Sequence, residues 1–176
     1  MKVLDTGRLT IRHLEHNDAT FILRLLNEPS FIEFIGDKGV RNGADACRYL
    51  DQGPMASYQE HGFGLYRVSL KFGGDVVGIC GILKREELPH PDLGFAFLPK
   101  YWSQGYAFES AQALMEYEVN KHQLDEVLAI TTPHNESSGR LLERLGFVDE
   151  GNTQLKPDSD EVKLFRVKAE GIAAAR

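Results

Sequence analysis

Cysteine is scarce in this 176-residue sequence: there are two, Cys47 and Cys80, far apart and in no C-x-x-C pair. That excludes a zinc or dithiol motif and favours a reduced, cytoplasmic protein. A basic excess is missing too, with 20 Lys+Arg against 26 Asp+Glu and a net charge of −6. A nucleic-acid binder would show the opposite balance. Long apolar runs are absent: nothing approaches the ~18 apolar residues of a membrane span, and the first residues lack the apolar centre of a signal peptide. Repeats, linkers and low-complexity stretches are also lacking, so residues 1–176 read as one domain. Neither G-x-x-x-x-G-K-[ST] nor G-x-G-x-x-G occurs, which argues against a P-loop and a dinucleotide fold. No His/Asp/Glu spacing suggests a metal.

What is present is ordinary globular material, 42% hydrophobic and 26% charged, enough to bury a sizeable core. The acidity is uneven. Residues up to Leu88 hold eleven cations and twelve anions, and the rest hold nine and fourteen. This is weakly compatible with a cationic acceptor.

Periodicity supplies the elements. Leu9–His13 alternates as a strand, and Asn17 or Asp18 caps a helix carrying Phe21, Ile22, Leu25 and Leu26. Phe31–Ile35 reads as a short helix, and about 42–59 as another. Phe63–Leu70 and Val76–Leu83 alternate around a Gly73-Gly74-Asp75 turn, and Leu93–Leu98 follows as a third strand. Gly105 opens a helix to about Lys121, Val127–Thr131 is a strand, Asn135–Leu145 a helix, and two strands close the chain. The strand–helix–strand unit from Leu93 to Thr131 needs a crossover, so its strands should be parallel within a mixed sheet. The expectation is a three-layer α/β arrangement.

Chemistry concentrates in LGFAFLPKYWSQGYA, Leu93–Ala107. A strand stops at Pro99, a loop with small residues at Ser103, Gly105 and Ala107 follows, and a helix begins. The first N–H groups of a helix lack internal partners and carry roughly half a positive charge. Such a loop suits a phosphate or pyrophosphate, although Gly105 could equally be a plain turn residue. After the next strand comes TPHNESS, where Asn135 is placed as an N-cap, with Ser138 three residues on. Both junctions fall outside the carboxyl ends of the parallel strands, where open α/β sheets bind ligands.

These segments, with TGRLTIR at Thr6–Arg12, GICGIL at Gly78–Leu83, YWSQGYAFES and PHNESSGRLLERLGF, resemble the GCN5-related N-acetyltransferases (GNAT) across nearly the whole chain. Within them the sequence is similar to the Rim-type branch, which acetylates N-terminal amines of ribosomal proteins. The resemblance implies a three-layer α/β/α fold with a mixed, centrally splayed sheet. It implies acetyl-CoA as cosubstrate, with no metal. Direct attack in a ternary complex would pass the acetyl group to a primary amine, either a protein N-terminus or a small molecule. The family pattern [QR]-x-x-G-x-[GA] falls on Trp102, Gly105 and Ala107, with Trp102 standing where many relatives have Arg or Gln. Backbone amides of Gln104, Gly105, Tyr106 and Ala107, beside Ser103, would hold the diphosphate. The backbone of Phe95, Ala96 and Phe97 would hold the pantetheine arm, near Asn135 and Ser138.

Many relatives use a Tyr as general acid five residues before the Phe of the Gly-Phe pair. Leu142 stands there, so Ser138 is the substitute, aided by Asn135. Base candidates are Asp92, Glu33, Asp160, Glu161 and Glu109, then His61, His90 and His134. Phe31, Phe34, Ile35, Phe63 and Tyr66 are candidates to line the acceptor groove, with Phe34, Phe63 and Asp92 the chosen contacts; core packing is the alternative for each. A non-catalytic acyl-CoA-binding or sensor domain is the alternative function. Relatives occur as monomers and homodimers.

Overall fold

The structure is a computed structural model and describes residues 1–174. Eight strands form one sheet in the order β1-β2-β3-β4-β5-β6-β8-β7. They are β1 Lys2–Asp5, β2 Leu9–His13, β3 Leu65–Leu70, β4 Val76–Leu83, β5 Asp92–Phe97, β6 Glu126–Thr131, β7 Val148–Gln154 and β8 Glu161–Lys168. The helices are α1 Ala19–Leu26, α2 Pro29–Phe34, α3 Gly43–Leu50, α4 Ala56–His61, α5 Tyr106–His122, α6 Glu136–Arg144 and α7 Ala169–Ala174. The expected 42–59 helix is interrupted at Asp51–Met55, where Pro54 cannot donate a backbone bond and the turn widens. β1 and α7 escaped the sequence reading because each is short and carries little periodicity.

The sheet buries both faces. On one, Leu9, Val68, Cys80 and Ile82 pack against Ala111, Leu114, Met115 and Leu142 of α5 and α6. On the other, Ile79 and Leu98 meet Ile22, Leu25, Leu26, Ala46 and Leu50 of α1 and α3. This three-layer α/β/α arrangement is the expected fold class. Burying a Leu or Ile side chain contributes about 1.5–3 kcal/mol, so these layers carry most of the stability. At Gly81 the backbone of Gly64 lies so close that any Cβ would collide with its carbonyl.

One pairing matters most for the site. β4 and β5 pair along their length, from Gly78↔Phe97 to Leu83↔Asp92. β5 and β6 are parallel, as expected, but pair only at Asp92↔Leu128, helped by Leu128 N–H donating to the Pro91 carbonyl at 2.9 Å. Beyond that point the two central strands part, opening a wedge whose apex is Asp92. Half of the peptide groups of a strand face each neighbour, so those of β5 that face β6 look into the wedge.

Candidate active site

The wedge opens toward the loop that starts α5. Pro99–Tyr101 forms one 3₁₀ turn, and the Trp102 indole N–H donates to the Phe97 carbonyl at 2.8 Å, folding the loop back on the end of β5. Ser103 and Gly105 both have positive φ, 60° and 82°. Gly105 is the N-cap of α5, left-handed and lacking the Cβ that would make this conformation costly. Trp102, Ser103, Gln104 and Gly105 are exposed, while Tyr106 and Ala107 are half-buried. The first N–H groups of a 17-residue helix therefore sit at an accessible glycine mouth. These groups suit the diphosphate of a nucleotide cofactor, and the wedge suits a narrow extended chain. Phe95 and Ala96 are half-buried along it, and Phe97 is buried at its end.

Glu109, in the first turn of α5, is committed elsewhere. It accepts from the Thr6 hydroxyl at 2.5 Å, from the Arg8 backbone at 3.0 Å and from Arg8 Nε at 2.8 Å. Partial burial pushes its carboxyl up, but these bonds outweigh that and hold it below the ordinary value. That set of contacts leaves it a strut between β2 and α5. Sequence reading singled out Glu109 and the TGRL segment separately, and nothing in their spacing joins them.

At the second junction Asn135 caps α6, its side-chain oxygen accepting from Ser138 N–H at 3.2 Å. Asn135 and Ser138 are both half-buried. The C-terminal end of α2 reaches this junction: the Phe34 and His134 rings lie 5.3 Å apart, and His134 Nε2 is 3.8 Å from Glu33 Oε1. Three residues chosen separately from the sequence thus converge beside the α6 cap.

Other choices are placed differently. Asp92 is 1% exposed and held by Arg85 in a two-pronged pair, Nε at 3.0 Å and Nη2 at 2.9 Å. Burial raises its pKa, against the opposing pull of Arg85. It braces the apex of the wedge, held there by Arg85. Phe63 is 5% exposed and packs edge-on to His122, at the C-terminal end of α5, about 25 Å of helix from Gly105. Phe31 and Tyr66 are core as well, whereas Ile35 is exposed. His61 stacks on Phe63 at that same remote end, and His90 pairs with Glu126 at 2.6 Å. Asp160 lines a cleft of ≈ 330 Å³ with Arg85, Glu87, Leu155, Lys156 and Val162, between the loop after β4 and the β7–β8 turn. Glu161 opens β8 and is exposed.

Sequence reasoning missed Glu118. It is fully buried, accepts from the Tyr66 hydroxyl at 2.7 Å and lies 3.1 Å from His122 Nε2. The signal was available: residue 118 continues the apolar stripe 111, 114, 115 of α5.

Comparison with known proteins agrees with this geometry. Residues 8–148 match the family model of the acetyltransferase (GNAT) domain. An uncharacterized N-acetyltransferase, p20, of Bacillus licheniformis is 26% identical over 154 residues, 86% of this chain and 85% of its own. An acetyltransferase from Agrobacterium tumefaciens superposes with a TM-score of 0.78 at 25% identity, over 93% of this chain and 92% of that one. A ribosomal-protein alpha-N-acetyltransferase (RimL) in complex with coenzyme A superposes with a TM-score of 0.82 over 97% and 99%; at 15% identity this likeness speaks for the fold alone. Among the described residues no helix is long and apolar enough to cross a membrane. A matched model spanning most of the chain, on a sheet that parts in front of a glycine-started helix, makes this chain an N-acetyltransferase of the GNAT family.

Proposed function

We propose that the whole chain is one acetyl-CoA-dependent N-acetyltransferase domain whose acceptor is a primary amine, a protein N-terminus or a small molecule. The observation that carries this reading is the β5–β6 wedge opening onto the N-terminus of α5 at Gly105. Backbone amides from Gln104 to Ala107 hold the diphosphate, and the β6-facing backbone of Phe95–Phe97, left unpaired by the wedge, aligns the pantetheine arm. The cosubstrate supplies an acyl group already activated as a thioester. What the chain supplies is placement, worth roughly 7–11 kcal/mol of barrier when two reactants are well aligned. A strand N–H near Phe95–Phe97 polarises the carbonyl. The amine attacks directly in a ternary complex: the C–N bond forms, the amine proton passes to a base, and the C–S bond breaks with the sulfur leaving as thiolate.

Ser138 donates a hydrogen bond to the departing thiolate, with Asn135 fixing the turn that carries it. Glu33 and His134, beside Phe34 and the α6 cap, are the base candidates favoured here, whereas Asp92, Glu109 and His90 are tied to Arg85, Arg8 and Glu126. An α-amino group, with a pKa near ~8, needs little help from either; a lysine, near ~10.4, needs more. The test is release of free CoA thiol from acetyl-CoA with a panel of peptides, polyamines, aminoglycosides and amino acids. Turnover with at least one primary amine is expected; tight acetyl-CoA binding with no turnover on any of them would overturn the reading.

A further inference from the structure

We propose that Arg8 is a positioning residue for the diphosphate loop: from outside the loop it turns the Gln104–Gly105 peptide so that its N–H faces the ligand. The inference rests on the acetyl-CoA reading above.

Arg8 lies just before β2, about a hundred residues from α5 in sequence, yet its guanidinium is built into the start of that helix. Nη1 donates to the Gln104 carbonyl at 2.8 Å, and Nε donates to Glu109 Oε1 at 2.8 Å. The guanidinium carbon sits 4.5 Å from the centre of the Tyr106 ring, and Nη2 would be 3.1 Å from a Cβ at Gly105. One side chain thus touches Gln104, Tyr106 and Glu109, and borders Gly105. Only a planar, multi-donor fork can do this.

Two consequences follow from elementary chemistry. A trans peptide is planar, with its C=O and N–H pointing in opposite directions. Fixing the Gln104 oxygen on Arg8 therefore points the Gly105 N–H away from Arg8 and removes a partial negative charge from the mouth of the helix. The second consequence concerns Glu109. A carboxylate in the first turn suits the helix dipole but repels an anionic ligand at the same place. Arg8 and Thr6 occupy that carboxylate, so the mouth stays electropositive in a chain of net charge −6.

The test compares acetyl-CoA with S-acetylpantetheine, which keeps the thioester and lacks the diphosphate. In Arg8→Ala, KM and Kd for acetyl-CoA should rise about 10- to 100-fold, the range expected for a lost charge-assisted hydrogen bond. The fall in kcat/KM should be at least about ten-fold larger for acetyl-CoA than for S-acetylpantetheine, with kcat at saturating acetyl-CoA affected less than KM. Arg8→Lys keeps the charge and the packing but cannot span Gln104 and Glu109 together; it should recover part of the loss, and it serves if the alanine variant does not fold. Unchanged acetyl-CoA affinity in both variants, or equal losses on both acyl donors, overturns the proposal. A wild-type protein that binds no acetyl-CoA would instead overturn the reading on which it rests.

Discussion

Putting a side chain on Gly105 attacks the cofactor loop at its least tolerant atom. The residue sits at φ 82° and ψ 4° and starts α5. An L-residue in this region costs about 1–2 kcal/mol, and a β-branched one more. The loop then has two options. If it keeps its shape, Gly105→Ala lowers Tm by about 2–8 °C, at 2–4 °C per kcal/mol for a domain of this size. Arg8 Nη2 must also yield, since the new Cβ would lie 3.1 Å from it. If the loop relaxes toward negative φ, the Gly105 and Tyr106 N–H groups swing off the ligand. Each charge-assisted hydrogen bond lost is worth about 1.5–3 kcal/mol.

Gly105→Val should take the second path. Thermal melts with and without acetyl-CoA read both effects at once. A ligand at 100 times its Kd adds about 2.7 kcal/mol to wild-type stability, or some 5–11 °C. If Kd rises a hundred-fold, the same concentration adds only about 0.4 kcal/mol. The wild type should therefore shift strongly on adding acetyl-CoA, and a folded Gly105→Val should barely move. Equal shifts in the two proteins would refute the placement of the diphosphate at this loop.

Four further outcomes are expected. Ser138→Ala should lower kcat by about 100-fold, the lower end of the range for lost acid–base help, while Kd for acetyl-CoA changes little; an untouched rate removes Ser138 as the acid. Arg85→Ala leaves the Asp92 carboxylate buried without its partner and should destabilise the fold by about 3–5 kcal/mol in denaturant melts, whereas a change under 1 kcal/mol would mean that the pair does not brace the wedge. Burial raises the Glu118 pKa, against the Tyr66 hydrogen bond and the charge of His122, so its neutral form is favoured in the folded state. Stability then falls as pH rises from the unfolded value, near ~4.3, through the folded one. Glu118→Gln should accordingly melt higher than wild type at pH 8 and lose that advantage at pH 4; a lower Tm at pH 8 contradicts this. Burial also pushes the Cys80 thiol up to about 12, against a hydrogen bond from Ser110, so Cys80 should react with a thiol reagent only after unfolding.

Much of this architecture is legible in the sequence because it rests on local rules. The strand at Val76–Leu83, the stop at Pro99, the helix start at Gly105 and the side-chain cap of Asn135 each depend on a few neighbouring residues, and the structure has all of them. Long-range pairing is less legible. Asp92 read as an acceptor contact because its position before a central strand is suggestive; what buries it is Arg85, whose reach depends on how the β4–β5 turn folds. Phe63 is a similar case. An aromatic residue ahead of a strand marks an apolar place, and only its packing against His122 at the end of α5 decides which edge of the sheet that place occupies. The clamp of Thr6 and Arg8 on Glu109 joins residues about a hundred apart, so no local periodicity reports it.

On this reading coenzyme A enters the β5–β6 wedge with its diphosphate on the N-terminus of α5. A crystal structure of the protein with CoA tests this most directly. Diphosphate oxygens should lie within hydrogen-bond distance of backbone N–H groups between Gln104 and Ala107. The pantetheine arm should lie along Phe95–Phe97, with its thiol directed toward Ser138. CoA bound elsewhere, or strands β5 and β6 paired along their full length in the complex, would contradict it.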